Sequence, residues 1–198
     1  MTAHLLRGPP LRRALRSKPP STSSLATIYT IGHSTREWDD FVAALKAHSI
    51  GTLFDIRAFP MSRRMPQFNR ENMEKALAEA GIEYVWEKDL GGRRGKSLEK
   101  SPNTGLRNDS FRNYADYMLT TPFRIAIAGV TKAAAYKPTA IMCAERVFFH
   151  CHRMLVSDYL TLHGHAVLHI DDAKPPRPHK VTAEAKLIDG QVQYPGLF

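Results

Sequence analysis

The chain has 198 residues, 43% of them hydrophobic, which is enough for the core of one domain with extensions. Its two cysteines are too few for a disulfide framework, and no apolar run reaches the roughly 20 residues of a membrane-spanning helix. We therefore expect a cytoplasmic protein with no membrane partner; composition does not predict its oligomeric state.

The formal net charge of +9 is concentrated near the start of the chain. Residues 1–24 contain no acidic residue and five basic ones: Arg7, Arg12, Arg13, Arg16 and Lys18. These five contribute +5, so the rest of the chain carries a net charge of +4. The prolines and serines of this region predict a disordered basic extension over residues 1–25. Two interpretations stay open, an organelle transit peptide or non-functional residues added by an upstream start codon.

From residue 26, strand-like and helix-like segments alternate. Five strands are predicted, beginning at Thr27 (TIYTI), Thr52 (TLFDI), Ile82 (IEYVW), Thr139 (TAIMCA) and Ala166 (AVLHI). Helices are predicted over residues 38–48, 70–80, 111–136 with a break before Pro122, and 151–162. Ser34 and Glu37 have the spacing of a capping box for the first helix, and Asn69 precedes the second.

Helical segments between successive strands predict a mostly parallel sheet, because parallel neighbours need a crossover connection. We predict a single three-layer, Rossmann-like α/β domain over residues 26–172, with five strands flanked by helices. Residues 171–180 are too rich in proline for a core element. In the extension over residues 173–198, Asp189 and Gly190 predict a small hairpin with a type I′ turn, packed on the same domain.

Reactive side chains gather where the predicted strands end, the edge at which parallel α/β sheets bind ligands. They are Gly32, His33, Ser34, Asp55, Arg57, Asp89, Gly91, Gly92, Arg93, Arg94, Cys143, Glu145, Cys151, His152, Arg153, His169 and Asp171. Polar residues also collect at loop ends in any globular protein, so the clustering by itself is weak evidence of a site.

The two cysteines admit a metal site as a first interpretation. Cys143, Cys151 and His152, joined by His33 or His169, could bind zinc, with Glu145 as a base beside a bound water. The spacing argues against it, because Cys143 ends a strand whereas Cys151 begins a helix, where it and His152 would project in different directions. We therefore predict no cofactor, with zinc as an alternative.

A reactive thiol is the second interpretation, and simple packing the third. A Cys151 thiolate would be stabilised by helix N-terminal amides and by Arg153, with His33 or His152 as base, whereas Cys143 should stay protonated inside its strand. Free cysteines are also among the most commonly buried residues, so the alternative is that both are packing residues only.

Two carboxylates lie at the predicted carboxyl edge of the sheet, after the second and fourth predicted strands. Glu145 in a partly apolar loop and Asp55 after the second strand, with His33 and His152 nearby, could perform general acid–base catalysis. The alternative is a pair of structural ion pairs, Asp55 with Arg57 and Glu145 with Arg153.

Cationic loops predict an anionic ligand. Arg57, Arg63 and Arg64 precede the second helix, and Gly91, Gly92 and Arg93 lie in the segment GGRRGK. Glycine backbone and arginine forks suit phosphate oxygens, whereas neither a P-loop nor a dinucleotide-binding glycine pattern is present. Four aromatic residues could stack on a base: Phe59, Phe68, Trp86 and Tyr114.

The segments TIGHST, DIRAFPMSRRMPQFN, AGIEYVWEKDLGGRR, FRNYADYM, MCAE with CHRMLVSDYL, and RPHKVT together resemble the domain of unknown function 488 family, from about residue 28 to 194. The resemblance implies a single cytosolic bacterial α/β domain with a site around the Gly-His-Ser, Asp-x-Arg, Cys-x-Glu and Cys-His-Arg segments. It implies no reaction, and residues 1–24 depart from the family pattern.

We predict an enzyme that hydrolyses or transfers a group on a nucleotide or nucleic-acid-like, phosphate-bearing substrate. Glu145, Asp55, His33 and His152 would carry proton chemistry. Substrate would be bound by Ser34, Arg57, Arg63, Arg64, Gly91, Gly92, Arg93 and Arg153. The alternatives are a non-catalytic nucleotide or nucleic-acid binding module and a metal- or thiol-dependent redox protein.

Overall fold

The computed structural model describes residues 26–95 and 98–196, so the predicted extension over residues 1–25 lies outside the described residues. The elements are β1 (Thr27–Gly32), α1 (Trp38–Ala47), β2 (Thr52–Asp55), α2 (Arg70–Glu79), β3 (Glu83–Trp86), α3 (Asp109–Met118), α4 (Thr121–Ala134), β4 (Thr139–Cys143), α5 (Arg153–Leu162), β5 (Ala166–Ile170), β6 (Arg177–Pro178), β7 (Lys186–Ile188) and β8 (Gln191–Gln193). No helix among the described residues is long and apolar enough to cross a membrane.

The main sheet has the order β3-β2-β4-β1-β5-β6, and its first five strands are parallel. Alternating strand residues face opposite layers, since Leu53 packs with α1 and α2 whereas Phe54 packs with α3, α4 and α5. Helices therefore cover both faces, as the alternation of segments predicts, and the α/β class is confirmed.

The sixth strand is a difference from the sequence prediction. The two residues of β6 lie within the proline-rich segment and pair antiparallel with β5, Pro178 opposite Leu168 and Arg177 opposite His169. A proline is tolerated there because the strand is at the sheet edge, where a missing N–H leaves no ladder bond unmade.

The terminal hairpin forms as predicted. β7 and β8 pair antiparallel around Asp189 and Gly190, whose φ angles of 49° and 75° are the positive values that the turn requires. Val192 and Tyr194 are buried in the core beside α3 and α5, so this segment is packed against the body of the protein.

The predicted capping box is wrong. The N-cap residue of α1 is Glu37, with no side-chain capping bond, and Ser34 lies before it with a φ of 47°. Helix α5 also begins later than expected: Cys151 is extended, with φ −135° and ψ 153°, and His152 is the N-cap. This later start decides the geometry of the site.

Strands β2 and β4 are neighbours, and the chain leaves their carboxyl ends in opposite directions, toward β3 from β2 and toward β5 from β4. Such a switch point opens a crevice outside the sheet, where parallel α/β proteins commonly bind ligands.

Candidate active site

A cavity of about 540 Å³ lies at the carboxyl ends of β2 and β4. It is lined by Arg57, Ala58, Phe59, Met61, Gly92, Arg93, Ser110, Phe111, Cys143, Ala144, Glu145, His150, Cys151 and His152. Segments remote in sequence therefore contribute to one concave surface.

Cys143, Cys151 and His152 form a compact cluster in this cavity. The Nδ1 atom of His152 is 3.4 Å from the sulfur of Cys151 and 3.9 Å from that of Cys143. All three atoms lie within 4.8 Å of one another, and all three residues are buried. The expectation that Cys151 and His152 project in different directions is wrong, because Cys151 precedes the helix instead of forming its first turn.

A backbone contact fixes the ring of His152. Its Nε2 is 3.0 Å from the carbonyl oxygen of Ile56, and a carbonyl can only accept, so Nε2 carries the hydrogen and donates it. In the neutral ring Nδ1 then holds the lone pair, directed at the two sulfurs. A Cβ atom on Gly92 would be 2.4 Å from Nδ1, so only glycine fits beside this face of the ring.

The two thiols have different electrostatic surroundings. The neighbouring Cys143 thiol lowers the pKa of Cys151 well below its ordinary value despite burial. His152 and the Arg153 cation act in the same direction, and the backbone N–H of Arg153 lies 3.5 Å from the sulfur. The neighbouring Cys151 sulfur, together with burial, raises the pKa of Cys143.

Asp55 lies behind the cavity wall and is fully buried. Its carboxylate accepts hydrogen bonds from Arg57 Nε at 2.9 Å, from Arg57 Nη2 at 2.5 Å and from the Tyr84 hydroxyl at 2.6 Å. Asp55 and Arg57 therefore form the structural ion pair that the sequence offered as an alternative to catalysis. Both carboxylate oxygens of Asp55 already accept hydrogen bonds. Of the pair, Arg57 lines the cavity.

His33 extends the same network away from the cavity. Its Nδ1–H donates to the carbonyl oxygen of Ser34 at 2.9 Å, and its Nε2 accepts from Arg57 Nη1 at 3.2 Å. Burial lowers the pKa of His33 to about 4, and the Arg57 cation acts in the same direction. The neutral ring, stacked on Phe68 at 4.3 Å, has both nitrogens occupied.

Glu145 lies at the cavity mouth, but it is exposed instead of enclosed in an apolar pocket. Its expected ion pair with Arg153 is not the observed contact, because Arg153 Nη2 donates to the backbone carbonyl oxygens of Glu145 and Arg146. Arg153 is buried and holds the loop that carries Glu145, which is one of the residues lining the cavity.

Arg93 is the exposed cation of the cavity mouth. Its guanidinium lies 5.7 Å from the ring centre of Phe59, which is 67% exposed. Gly92, Arg93 and Ser110 also line a smaller adjoining depression with Arg94 and Gly95. Anionic and planar groups can therefore both be contacted at this mouth.

Several other predicted binding residues lie elsewhere. Arg63 and Arg64 are exposed outside the cavity lining, and Ser34 lines a separate depression with Arg36 and Arg146. Gly91 supports the wall from behind, since a Cβ there would be 2.8 Å from Ala58 Cα. Of the four aromatic stacking candidates, Phe59 lines the cavity, whereas Phe68 and Tyr114 are fully buried and Trp86 contacts Arg70.

Sequence reasoning missed six lining residues: Ala58, Met61, Ser110, Phe111, Ala144 and His150. His150 is adjacent to the Cys151-His152 pair and could have been included on that basis. Ser110 and Phe111 belong to the start of α3, and no local pattern connects that start with β4.

It also missed a buried polar chain beneath the site. Arg153 Nη1 contacts the Thr30 hydroxyl at 3.4 Å, Thr30 donates to His169 Nδ1 at 2.7 Å, and His169 Nε2–H donates to His179 Nδ1 at 2.9 Å. His179 Nε2–H then donates to the Asp158 carboxylate at 2.8 Å. The chain connects the C-terminal segment with the loop that Arg153 holds. The sequence feature that could have indicated this buried network is His179, which lies in the segment RPHKVT.

No curated protein and no solved structure matches this chain. One family model does, that of the domain of unknown function DUF488, over residues 37–160. The matched region includes the ends of β2 and β4 and the whole Cys143, Cys151 and His152 cluster. Because this match spans more than half of its residues, the chain belongs to the DUF488 family.

Proposed function

We propose that this protein is an enzyme that hydrolyses or transfers a group on a phosphate-bearing substrate bound in the cavity between β2 and β4. One observation carries the proposal: a buried cluster of two thiols and an imidazole opens into a cavity whose mouth holds the exposed Arg93. Reactive groups at the floor and a cation at the mouth of one concave surface support a site at which substrate is both bound and converted.

The floor supports catalysis over simple binding. Burying polar side chains costs free energy that a core of apolar residues would avoid. In this cavity the two cysteine sulfurs nevertheless converge on the Nδ1 lone pair of His152. Nucleophile and base types within such reach are the usual arrangement of covalent or hydrolytic sites. The cluster therefore supplies the nucleophile of the reaction or activates it.

The mouth supports a phosphate-bearing substrate. Arg93 can form paired hydrogen bonds with phosphate oxygens, and the backbone of the preceding Gly92 permits close approach. Phe59 offers an exposed ring for the base of a nucleotide. Glu145 is the carboxylate of this surface that can exchange protons with a leaving group, a role for which Asp55 has no vacant oxygen.

Substrate profiling tests the proposal. The purified full chain is incubated with nucleoside mono-, di- and triphosphates, sugar phosphates and short oligonucleotides, and products are detected by mass spectrometry and phosphorus NMR. With a turned-over substrate, Arg93→Gln should raise KM about 10-fold, the equivalent of about 1.4 kcal/mol of lost binding, with kcat nearly unchanged. Glu145→Gln should instead lower kcat.

Arg63→Gln is the matched control, since Arg63 is an exposed arginine outside the cavity lining. Equal effects of the two arginine variants would contradict the proposed phosphate contact. Ligands that bind with a steep salt dependence but are never converted would instead support the binding-module alternative.

A further inference from the structure

We infer that Cys143, Cys151 and His152 bind one zinc-class divalent cation, with the fourth coordination position open to the cavity. Its catalytic use rests on the proposed function, whereas the binding itself depends only on these three side chains. The inference is made from the geometry of the three donor atoms, which lie within 4.8 Å of one another.

The spacing of the donors suits a tetrahedral ion. With metal–sulfur bonds of about 2.3 Å and metal–nitrogen bonds of about 2.0 Å, tetrahedral angles separate sulfur from nitrogen by about 3.5 Å. The observed separations from His152 Nδ1 are 3.4 Å to Cys151 and 3.9 Å to Cys143. One ion can therefore contact all three atoms with small side-chain adjustments.

The surroundings of His152 are those of a metal ligand. A ligating imidazole usually donates its second N–H to a carbonyl or carboxylate, which fixes the ring and directs the lone pair to the metal. The Nε2–H of His152 makes that contact with the Ile56 carbonyl oxygen. Gly92 leaves the space beside Nδ1 free of side-chain atoms.

The donor set selects the class of cation. Two thiolates and an imidazole are soft to borderline ligands, which favour zinc and disfavour magnesium or calcium. Two thiolates also balance the charge of a divalent ion, so the loaded site is neutral in its buried surroundings. Three protein ligands facing a cavity form an open site, in which a water molecule or a substrate atom can take the fourth position.

Metal content and cobalt spectroscopy test the inference. The full chain, freed of metal under reducing conditions, should bind one zinc per chain. With cobalt it should show thiolate-to-metal charge-transfer absorption and the strong visible bands of a tetrahedral site. Cys143→Ser, Cys151→Ser and His152→Asn should each weaken zinc binding at least about 10-fold. His150→Ala should bind as the wild type does, because His150 lines the same cavity outside the cluster.

A second measurement needs no variant and covers the case in which a substitution unfolds the chain. Zinc should protect Cys143 and Cys151 of the wild type from iodoacetamide, as read by peptide mass spectrometry, and a chelator should restore their alkylation. Cobalt absorption without thiolate bands, or alkylation unaffected by zinc, would overturn the inference. Zinc binding without turnover would contradict the proposed function alone. Turnover that persists in chelator and without bound metal would contradict the catalytic use of the metal, and the metal-binding and alkylation measurements decide the binding itself.

Discussion

Gly92 and His152 are in contact across the cavity wall: a Cβ atom at residue 92 would lie 2.4 Å from Nδ1 of the imidazole. Gly92→Ala must therefore displace the ring that directs its lone pair toward the two sulfurs. We expect at least about a 10-fold loss of zinc affinity and of any turnover, as for other changes that misorient a metal ligand. Zinc titration and steady-state kinetics measure both effects.

Gly95→Ala is the control for this variant, because a Cβ there meets no atom within 4 Å among the described residues. It changes the flexibility of the same loop without touching the imidazole. If Gly95→Ala and Gly92→Ala had equal effects, the steric contact with His152 would not be the cause.

The buried pair of Asp55 and Arg57 predicts a large stability effect. Asp55→Asn removes the charge that neutralises the Arg57 guanidinium in a buried site, with a cost of about 3–5 kcal/mol in the free energy of unfolding. Urea denaturation measures it. Glu83→Gln, which breaks the exposed pair with Lys137, should cost less than about 1 kcal/mol. An Asp55→Asn cost in that lower range would show that the pair is not structural.

Asp158 anchors the C-terminal segment. Its carboxylate accepts hydrogen bonds from the His179 ring at 2.8 Å, the Thr182 backbone N–H at 2.9 Å and the Tyr194 hydroxyl at 3.0 Å. Asp158→Ala leaves these buried donors unpaired, so we expect a loss of at least about 2 kcal/mol and faster amide exchange over residues 177–194.

Hydrogen-exchange mass spectrometry distinguishes that local release from a global loss of stability. Asp109→Asn provides the comparison, because Asp109 forms an exposed pair with Arg112 on α3. Unchanged exchange over residues 177–194 in Asp158→Ala would mean that apolar packing alone holds the segment.

His169 predicts a pH dependence of stability. Burial lowers its pKa to about 3, and His179, Arg153 and Arg177 act in the same direction. Between about pH 6.5 and pH 3 the unfolded chain binds this proton whereas the folded protein does not. The contribution of His169 to stability is therefore complete above about pH 6.5 and is lost as the pH falls through that range.

His169→Gln should reduce the slope of unfolding free energy against pH over this interval. Both proteins are compared in chelator, so that acid release of metal does not contribute. Identical slopes for the two proteins would show that His169 is not held neutral in the folded state.

The order of elements and the parallel sheet were predictable, because each strand and helix is encoded by a local pattern of apolar residues. The hairpin at Asp189 and Gly190 was predictable for the same reason, since two adjacent residues specify its turn. The prediction of a capping box at Ser34 was wrong because the chain turns at Ser34, where φ is 47°, and the N-cap position falls on Glu37.

The two carboxylates show why the site was harder to predict. From the sequence, Asp55 and Glu145 occupy equivalent places at the ends of two predicted strands, yet Asp55 is fully buried against Arg57 whereas Glu145 is exposed at the cavity mouth. Their difference arises from contacts with residues distant in the chain, such as the hydrogen bond that the Tyr84 hydroxyl donates to Asp55. A local sequence pattern does not predict such contacts.

The sequence by itself determined the α/β class, the family, and the concentration of reactive residues at one edge of the sheet. Only the tertiary structure decided that Cys143, Cys151 and His152 converge. Two facts cause that convergence: α5 begins at Arg153 instead of Cys151, and the Ile56 carbonyl, 96 residues away in sequence, holds the His152 ring. Local periodicity fixes backbone segments, whereas the direction of a side chain depends on partners that only the folded chain brings into contact.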